Sequence, residues 1–255
     1  MTQPHLDRKG LKRPDVVLAE LREGYHWVED HVRSVVIIFA ILFGGLALWT
    51  VGSHFSNQKE EKALSGFYTA EKNLDKKRVE VESKKIKDKN IDTLKELNQE
   101  IVQVQSVTQK FPKSQAAFLG FLKLGDIFSE QKHYPEALTQ YEKALELSKS
   151  KFYKILVLYN LGYMNELLGQ SEKAIEWFNH ITAYQKQRFL LWTFGYRPNA
   201  FWLSSAYFGI GRCYEKQKQP EAAKEAYLRV SDEFPNTPYA DQGRAFAELV
   251  AHPHP

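Results

Sequence analysis

The sequence predicts an all-α chain: one N-terminal transmembrane helix followed by an α-solenoid of helical hairpins. Two observations carry this. A single uninterrupted apolar run lies near the N-terminus, and a glycine–alanine–aromatic pattern recurs three times in the C-terminal half. The rest of the composition narrows the class. At 43% hydrophobic residues the bulk of the 255-residue chain can bury a core, which excludes general disorder. A single cysteine, Cys213, excludes a disulfide framework and any multi-cysteine metal site. A formal charge of +4 without a basic stripe argues for no nucleic-acid partner.

The apolar run comes first. From Ser34 to Gln58 there is no Asp, Glu, Lys or Arg, and residues 35–51 read VVIIFAILFGGLALWTV. Helical residues 34–52 span about 28 Å, close to the hydrocarbon thickness of a bilayer. The polar lead of 33 residues and the absence of an A-x-A site argue against a cleaved signal peptide. The expectation is an uncleaved anchor over 34–54. Six Lys and Arg precede the span (Arg8, Lys9, Lys12, Arg13, Arg22, Arg33), and three follow within twenty residues (Lys59, Lys62, Lys72). By the positive-inside rule the segment 1–33 is cytoplasmic and the C-terminal part extracytoplasmic, periplasmic in a Gram-negative bacterium. Pro14 can open a helix in the lead, and Val17, Leu21, Tyr25, Val28 and Val32 recur at helical spacing. That stripe either lies on the inner leaflet or extends the anchor. Ala40 and Gly44 form a small-xxx-small pair suited to close approach of another membrane helix.

Residues 55–110 read as an irregular juxtamembrane hairpin. Its first helix carries Ala63, Leu64, Phe67 and Leu74 and runs on from the span, and its second covers about 91–110. Between them VEVESKKIKDKN has the composition of a solvated connector or a frayed helical extension, with a basic lipid-contact patch as a further reading.

The repeats occupy 111–250. Gly125, Ala137 and Tyr141 form the first set, Gly162, Ala174 and Phe178 the second, and Gly211, Ala223 and Tyr227 the third; in each, glycine precedes alanine by 12 residues and the aromatic by 16. Glycine permits close approach of two helices, and the aromatic, four residues beyond alanine on the same helix face, fills the gap between hairpins. Pro135 and Pro220 open second helices, while Gly169 closes one helix and Ser171 caps the next. FPKS from Phe111 and FPNT from Phe234 each end a helix and start another. Residues 238–250 read as a capping helix and 251–255 as a disordered tail.

These motifs resemble the tetratricopeptide repeat family over roughly residues 112–250. The resemblance implies a solenoid that binds protein. Two departures stand out: Asn165 occupies a normally apolar position, and the terminal proline appears only as Pro235. The glycines are 37 and 49 residues apart, against a family period of 34. The longer gap holds an aromatic insert near 184–202. Its Phe189, Trp192, Phe194, Tyr196, Arg197 and Trp202 are the candidate protein-binding residues; they either lengthen the flanking helices or group about Pro198 and Asn199 as a docking surface.

No nucleotide, nucleophile-elbow or metalloprotease motif is present. Gly209 and Gly211 form G-x-G inside a helix with no strand before it, and the eight histidines are scattered. No enzymatic activity, cofactor or metal is expected. The whole layout resembles the YfgM-like ancillary subunits of the bacterial Sec translocon, a resemblance that implies association with the translocon and with a membrane-anchored periplasmic chaperone. The FPxS/T motifs and the insert resemble the outer-membrane assembly lipoproteins and the Tol–Pal cell-division coordinator, which implies an envelope scaffold. An unrecognised enzyme or sensor is the third reading, and homo-oligomerisation is left open.

Overall fold

The computed structural model describes residues 31–186 and 200–252, together with Tyr25, Trp27 and Glu29. Among these residues the regular structure is entirely helical. The helices are α1 (Val32–Lys87), α2 (Thr93–Glu96), α3 (Asn98–Lys110), α4 (Gln115–Glu130), α5 (Tyr134–Leu147), α6 (Lys151–Leu167), α7 (Ser171–Lys186), α8 (Ala200–Lys216), α9 (Pro220–Glu233) and α10 (Pro238–Ala251). Two compact units divide the chain, Met1–Lys59 and Glu60–Pro255.

In the first unit, α1 is long and apolar enough to cross a membrane, and none of its apolar window is buried in protein. A Cβ built on Gly44, Gly45 or Gly52 would meet nothing within 4 Å. Trp27 precedes the apolar run and Trp49 lies near its C-terminal end, placements favoured near membrane interfaces.

The second unit begins with the remainder of α1. Its Ala63, Phe67, Ala70, Leu74 and Val81 are buried against Leu97, Ile101 and Val104, and Ala116, Leu124 and Ile127 of α4 complete this cluster. The stretch read as a connector or a frayed helical extension is helical to Lys87, and fully buried Val81 holds its last turns in place. The expected second helix is divided at Leu97, a buried residue at φ −92°, ψ 1° between α2 and α3.

Three hairpins follow, α4/α5, α6/α7 and α8/α9, each closed by the same turn. The residue seven past each hairpin's glycine takes a left-handed conformation: Lys132 at φ 63°, Gly169 at φ 73° and Lys218 at φ 58°. The N–H of the next residue reaches back to the first helix, from His133 to Phe128 O, Gln170 to Asn165 O and Gln219 to Tyr214 O, at 2.8–2.9 Å. This closure is a Schellman motif. It also corrects the expectation for Ser171, which lies inside α7. Gln170 holds the cap position, since its carbonyl accepts the first helical bond from Ala174.

FPKS and FPNT build joints that share their capping bonds and differ at the third residue, where Asn236 takes a left-handed conformation at φ 61° and Lys113 does not. Phe111 and Phe234 share φ −129° with ψ 58° and 55°. Ser114 and Thr237 donate to the carbonyls of Phe111 and Phe234 at 2.7 Å, and accept from the N–H of Ala117 and Ala240 at 3.0 and 3.3 Å. Six residues on, Gly120 packs against Thr108 and Gly243 against the Tyr227 carbonyl. The joint α9–α10 thus repeats the joint α3–α4, 123 residues later.

Candidate protein-interaction surface

The repeat residues set the spacing of the helices. A Cβ on Gly125 would lie 2.6 Å from the Tyr141 ring, one on Gly162 2.6 Å from Phe178, and one on Gly211 within 2.5 Å of two Tyr227 ring atoms. Each glycine therefore admits the aromatic of its own hairpin. Ala137, Ala174 and Ala223 are fully buried. The Tyr141 hydroxyl donates to Asp126 at 2.7 Å and the Tyr227 hydroxyl to Glu215, so both rings keep a satisfied polar end. Burial, with the nearby carboxylates, pushes both phenols far above their usual range. Pro235 is exposed and sits in the joint after α9.

On α6, Phe152, Leu156, Tyr159, Tyr163 and Leu167 recur at intervals of three or four and form one stripe. Tyr163 and Leu167 are exposed, and Tyr159 is half-buried. The Tyr159 and Tyr163 rings stack with centroids 6.3 Å apart and planes 9° apart. Tyr159 also meets Trp202 at 5.7 Å and Phe178 at 5.8 Å. Trp202 is half-buried and further touches Phe152 at 6.5 Å and Phe201 at 4.9 Å. Of the residues proposed from the insert, the structure thus places Trp202 beside the α6 stripe. Phe189, Trp192, Phe194, Tyr196 and Arg197 lie outside the described residues.

Beside this stripe stands an ion-pair network that spans two hairpins. Glu166 on α6 has a side chain only 5% exposed. Arg212 on α8 grips it with two bonds, Nε to Oε1 at 2.9 Å and NH2 to Oε2 at 2.8 Å. Lys216, one turn further, donates to the Glu166 carbonyl at 3.1 Å and to Oε1 at 3.3 Å. Burial pushes the Glu166 carboxyl up; the hydrogen bonds and charge of Arg212, with the charge of Lys216, outweigh it and hold the group below the usual carboxylate range. The two cations stay 40% and 46% exposed. The network was missed in the sequence because Glu166 and Arg212 lie 46 residues apart across the insert; the one local signal is the i,i+4 pair Arg212 and Lys216.

Elsewhere, ion pairs tie the first helix α4 to α1. Lys123 meets Asp75 at 2.9 Å and Glu71 at 3.2 Å, and Arg78 meets Glu130 at 2.5 Å. No group of three or more His, Cys, Asp or Glu side chains able to hold a metal occurs among the described residues. Burial pushes the Cys213 thiol up to about 11, which leaves it protonated and inert at neutral pH.

Two family models match stretches of the hairpin array. Residues 114–187 match a tetratricopeptide repeat family model, and residues 205–237 match another. The two stretches are tetratricopeptide repeats, the first running from the α4 N-cap to the end of α7 and the second covering most of α8 and α9. A solved structure, the N-terminal domain of stress-induced protein-1 (STI-1) from C. elegans, is similar at 18% identity and a TM-score of 0.41, over 51% of this chain and 94% of that one. No curated protein sequence matches the chain.

Proposed function

We propose that this protein is a membrane-anchored adaptor whose repeats bind other proteins. The observation that carries the reading is the joint presence of a span-length, unburied apolar helix and an array of tetratricopeptide hairpins. Such arrays present extended surfaces built from successive first helices, suited to peptides and partner helices. The Lys and Arg asymmetry about the span supports an N-terminus in the cytoplasm and repeats in the periplasm of a bacterial inner membrane. The layout of lead, anchor, juxtamembrane hairpin and repeats favours an ancillary subunit of the Sec translocon and its periplasmic chaperones. The paired FPxS/T joints and the aromatic insert favour the second reading, an envelope scaffold for outer-membrane assembly or cell division.

Co-purification of the full chain from detergent-solubilised membranes after mild crosslinking tests the proposal. Recovery of translocon and chaperone components supports the first reading, and recovery of assembly or Tol components supports the second. Absence of any crosslinked polypeptide overturns both. Protease added outside spheroplasts should digest the repeats and leave a protected fragment of about the first 60 residues; protection until lysis would reverse the orientation.

A further inference from the structure

The first helices of the array run parallel, and side-chain contacts show which of their ends meet. Glu60, where the second unit begins, accepts from the Gln115 N–H at the start of α4, while Arg78 further along α1 meets Glu130 at the end of α4. Phe118 in the first turn of α4 has its ring 5.1 Å from that of Tyr153 in the first turn of α6. Phe152, beside Tyr153, has its ring 6.5 Å from that of Trp202 in the first turn of α8. The N-terminal ends of α4, α6 and α8 therefore stand at the end of the array that carries Glu60. Only residues 55–59 separate Glu60 from the span expected over 34–54, a reach of about 20 Å even when fully extended. That end is basic and apolar together. Lys110, Lys113, Lys149, Lys151 and Lys154 are exposed in the α3–α4 and α5–α6 joints and the first turn of α6, and none of them is in an ion pair among the described residues. With every carboxylate counted as ionised, Glu60 and Glu146 stand among these lysines, and Glu61 and Glu142 are offset by the adjacent Lys62 and Lys143. Asp232, Glu233 and Asp241 are confined to the α9–α10 edge. Neither α6 nor α8 has an acidic residue in its first turn. Phe152 is 44% exposed and Phe201 49%, and both rings touch Trp202.

We infer that this end of the array docks on the surface of the bilayer that holds the anchor, with anionic phospholipid headgroups as its ligand. The inference rests on the anchored reading and adds a second, reversible membrane contact to it. Charge complementarity selects the occupant: the unpaired lysines donate to lipid phosphates, and their flexible stems let the ammonium groups reach outward from the helix starts. Phe152 and Phe201 enter at headgroup depth, where aromatic rings are favoured. Rings flanked by cations on one exposed surface are the arrangement of an interfacial contact. A few lysines and two rings hold a membrane weakly by themselves. The short tether at residues 55–59 makes the contact intramolecular and supplies the effective concentration that a free acidic partner would lack.

The test places the full chain in lipid nanodiscs with an environment-sensitive fluorophore on Phe201→Cys or, as a control, on Leu249→Cys in the last turn of α10, at the other end of the array. Both positions are exposed, and buried Cys213 stays unlabelled. In discs of equal parts phosphatidylcholine and phosphatidylglycerol, the probe at 201 should shift to the blue and be quenched by lipid-borne nitroxides, while the probe at 249 should not. Pure phosphatidylcholine discs, or high salt, should return the probe at 201 toward its emission in water. Replacing Lys149, Lys151 and Lys154 with Gln should weaken docking about fivefold per lysine. The three side chains are exposed and outside every ion pair, so circular dichroism should show unchanged helicity. A probe at 201 as aqueous as the one at 249, in chains that remain with their discs on gel filtration, overturns the inference and leaves the anchored reading standing. Chains that do not enter discs at all overturn the anchored reading, and the inference with it. A blue shift that survives neutral lipid, high salt and the lysine substitutions assigns the face to a protein contact and overturns the inference. If that shift also requires two copies per disc, the occupant is a second copy of this chain.

Discussion

The Phe178 ring on α7 lies against Gly209 on α8, where a Cβ would approach Phe178 Cε2 to 2.5 Å. The same ring lies against Gly162 of its own hairpin. One side chain thus sets two helix spacings, within a hairpin and between hairpins. Gly209→Ala should destabilise the repeats by about 1–3 kcal/mol, less the helix propensity that alanine gains. Phe178→Leu should cost less in the Gly209→Ala background than in the unaltered protein. Urea unfolding followed by circular dichroism checks both; additive effects would mean that ring and glycine are not in register.

Removing Arg212 should be costlier than removing Glu166. Arg212→Met leaves a buried carboxylate with Lys216 alone, a loss of about 2–3 kcal/mol, whereas Glu166→Gln leaves cations that water already reaches and should cost about 1 kcal/mol. The pH dependence follows from the sign of the shift. The Glu166 carboxyl is held below its ordinary 4.5, so its stabilisation is fully present above that value and is lost as pH falls through the folded value. The stability gap between the unaltered chain and Glu166→Gln should therefore be constant from pH 6 to 8 and shrink in acid. Asp126, which burial pushes up against the opposing Tyr141 hydrogen bond, acts in the opposite direction but is common to both proteins and cancels.

Lys132 and Lys218 occupy the turn position that Gly169 fills in the middle hairpin. A side chain there costs roughly 1 kcal/mol against glycine. Lys132→Gly and Lys218→Gly should each stabilise by up to about 1 kcal/mol, and Gly169→Ala should destabilise by a similar amount. Melting temperatures of the three variants decide this, and a Lys→Gly change that lowers stability would show that the lysine makes a compensating contact.

Asn165 is buried, and its Nδ2 donates to the Leu161 carbonyl at 2.8 Å while Oδ1 has no partner among the described residues. Asn165→Leu removes the orphaned oxygen at similar volume. It should raise stability by about 1–2 kcal/mol without affecting partner binding. A fall in stability would reveal a water or other group bound to Oδ1.

For the insert, Trp192, Tyr196 and Trp202 changed together to alanine should reduce capture of the partner while leaving helicity and melting temperature nearly unchanged. A large fall in melting temperature would assign these aromatics to the core. Trp202, which touches Tyr159, Phe152 and Phe201, should be substituted singly as well, because its ring contacts alone can contribute to folding.

The hairpin array is legible in the sequence because its geometry is enforced by residue types with few substitutes. A ring can lie against a helix backbone only where Cβ is missing, so Gly125 with Tyr141 and Gly211 with Tyr227 leave a mark at fixed spacing. Phe111 and Phe234 are legible for a related reason, since the proline after each ends one helix before the next begins. The division at Leu97 leaves no such mark: no Gly or Pro flanks it, and its burial in the α1–α3 cluster decides the break. The surface of Glu166, Arg212 and Lys216 leaves only the i,i+4 spacing of Arg212 and Lys216, because charged residues on a helix usually face solvent and only the fold brings α6 and α8 together. The insert is conspicuous by its aromatics, yet composition does not tell whether a ring faces a partner or its own chain.

The recurrence of the α3–α4 joint at α9–α10 bears on how the array stops. Counting 123 residues forward, the position of Gly125, where α4 admits the Tyr141 ring, falls on Glu248 in α10, and that of Phe128 falls on Ala251. Glu248 is exposed and carries a charge where a ring would have to enter. The last helix therefore has the form of a first helix without the notch that a companion needs. Glutamate in place of glycine at 248 should therefore disfavour the stacking of a further second helix on α10, and a design that adds a hairpin there would first restore glycine at 248.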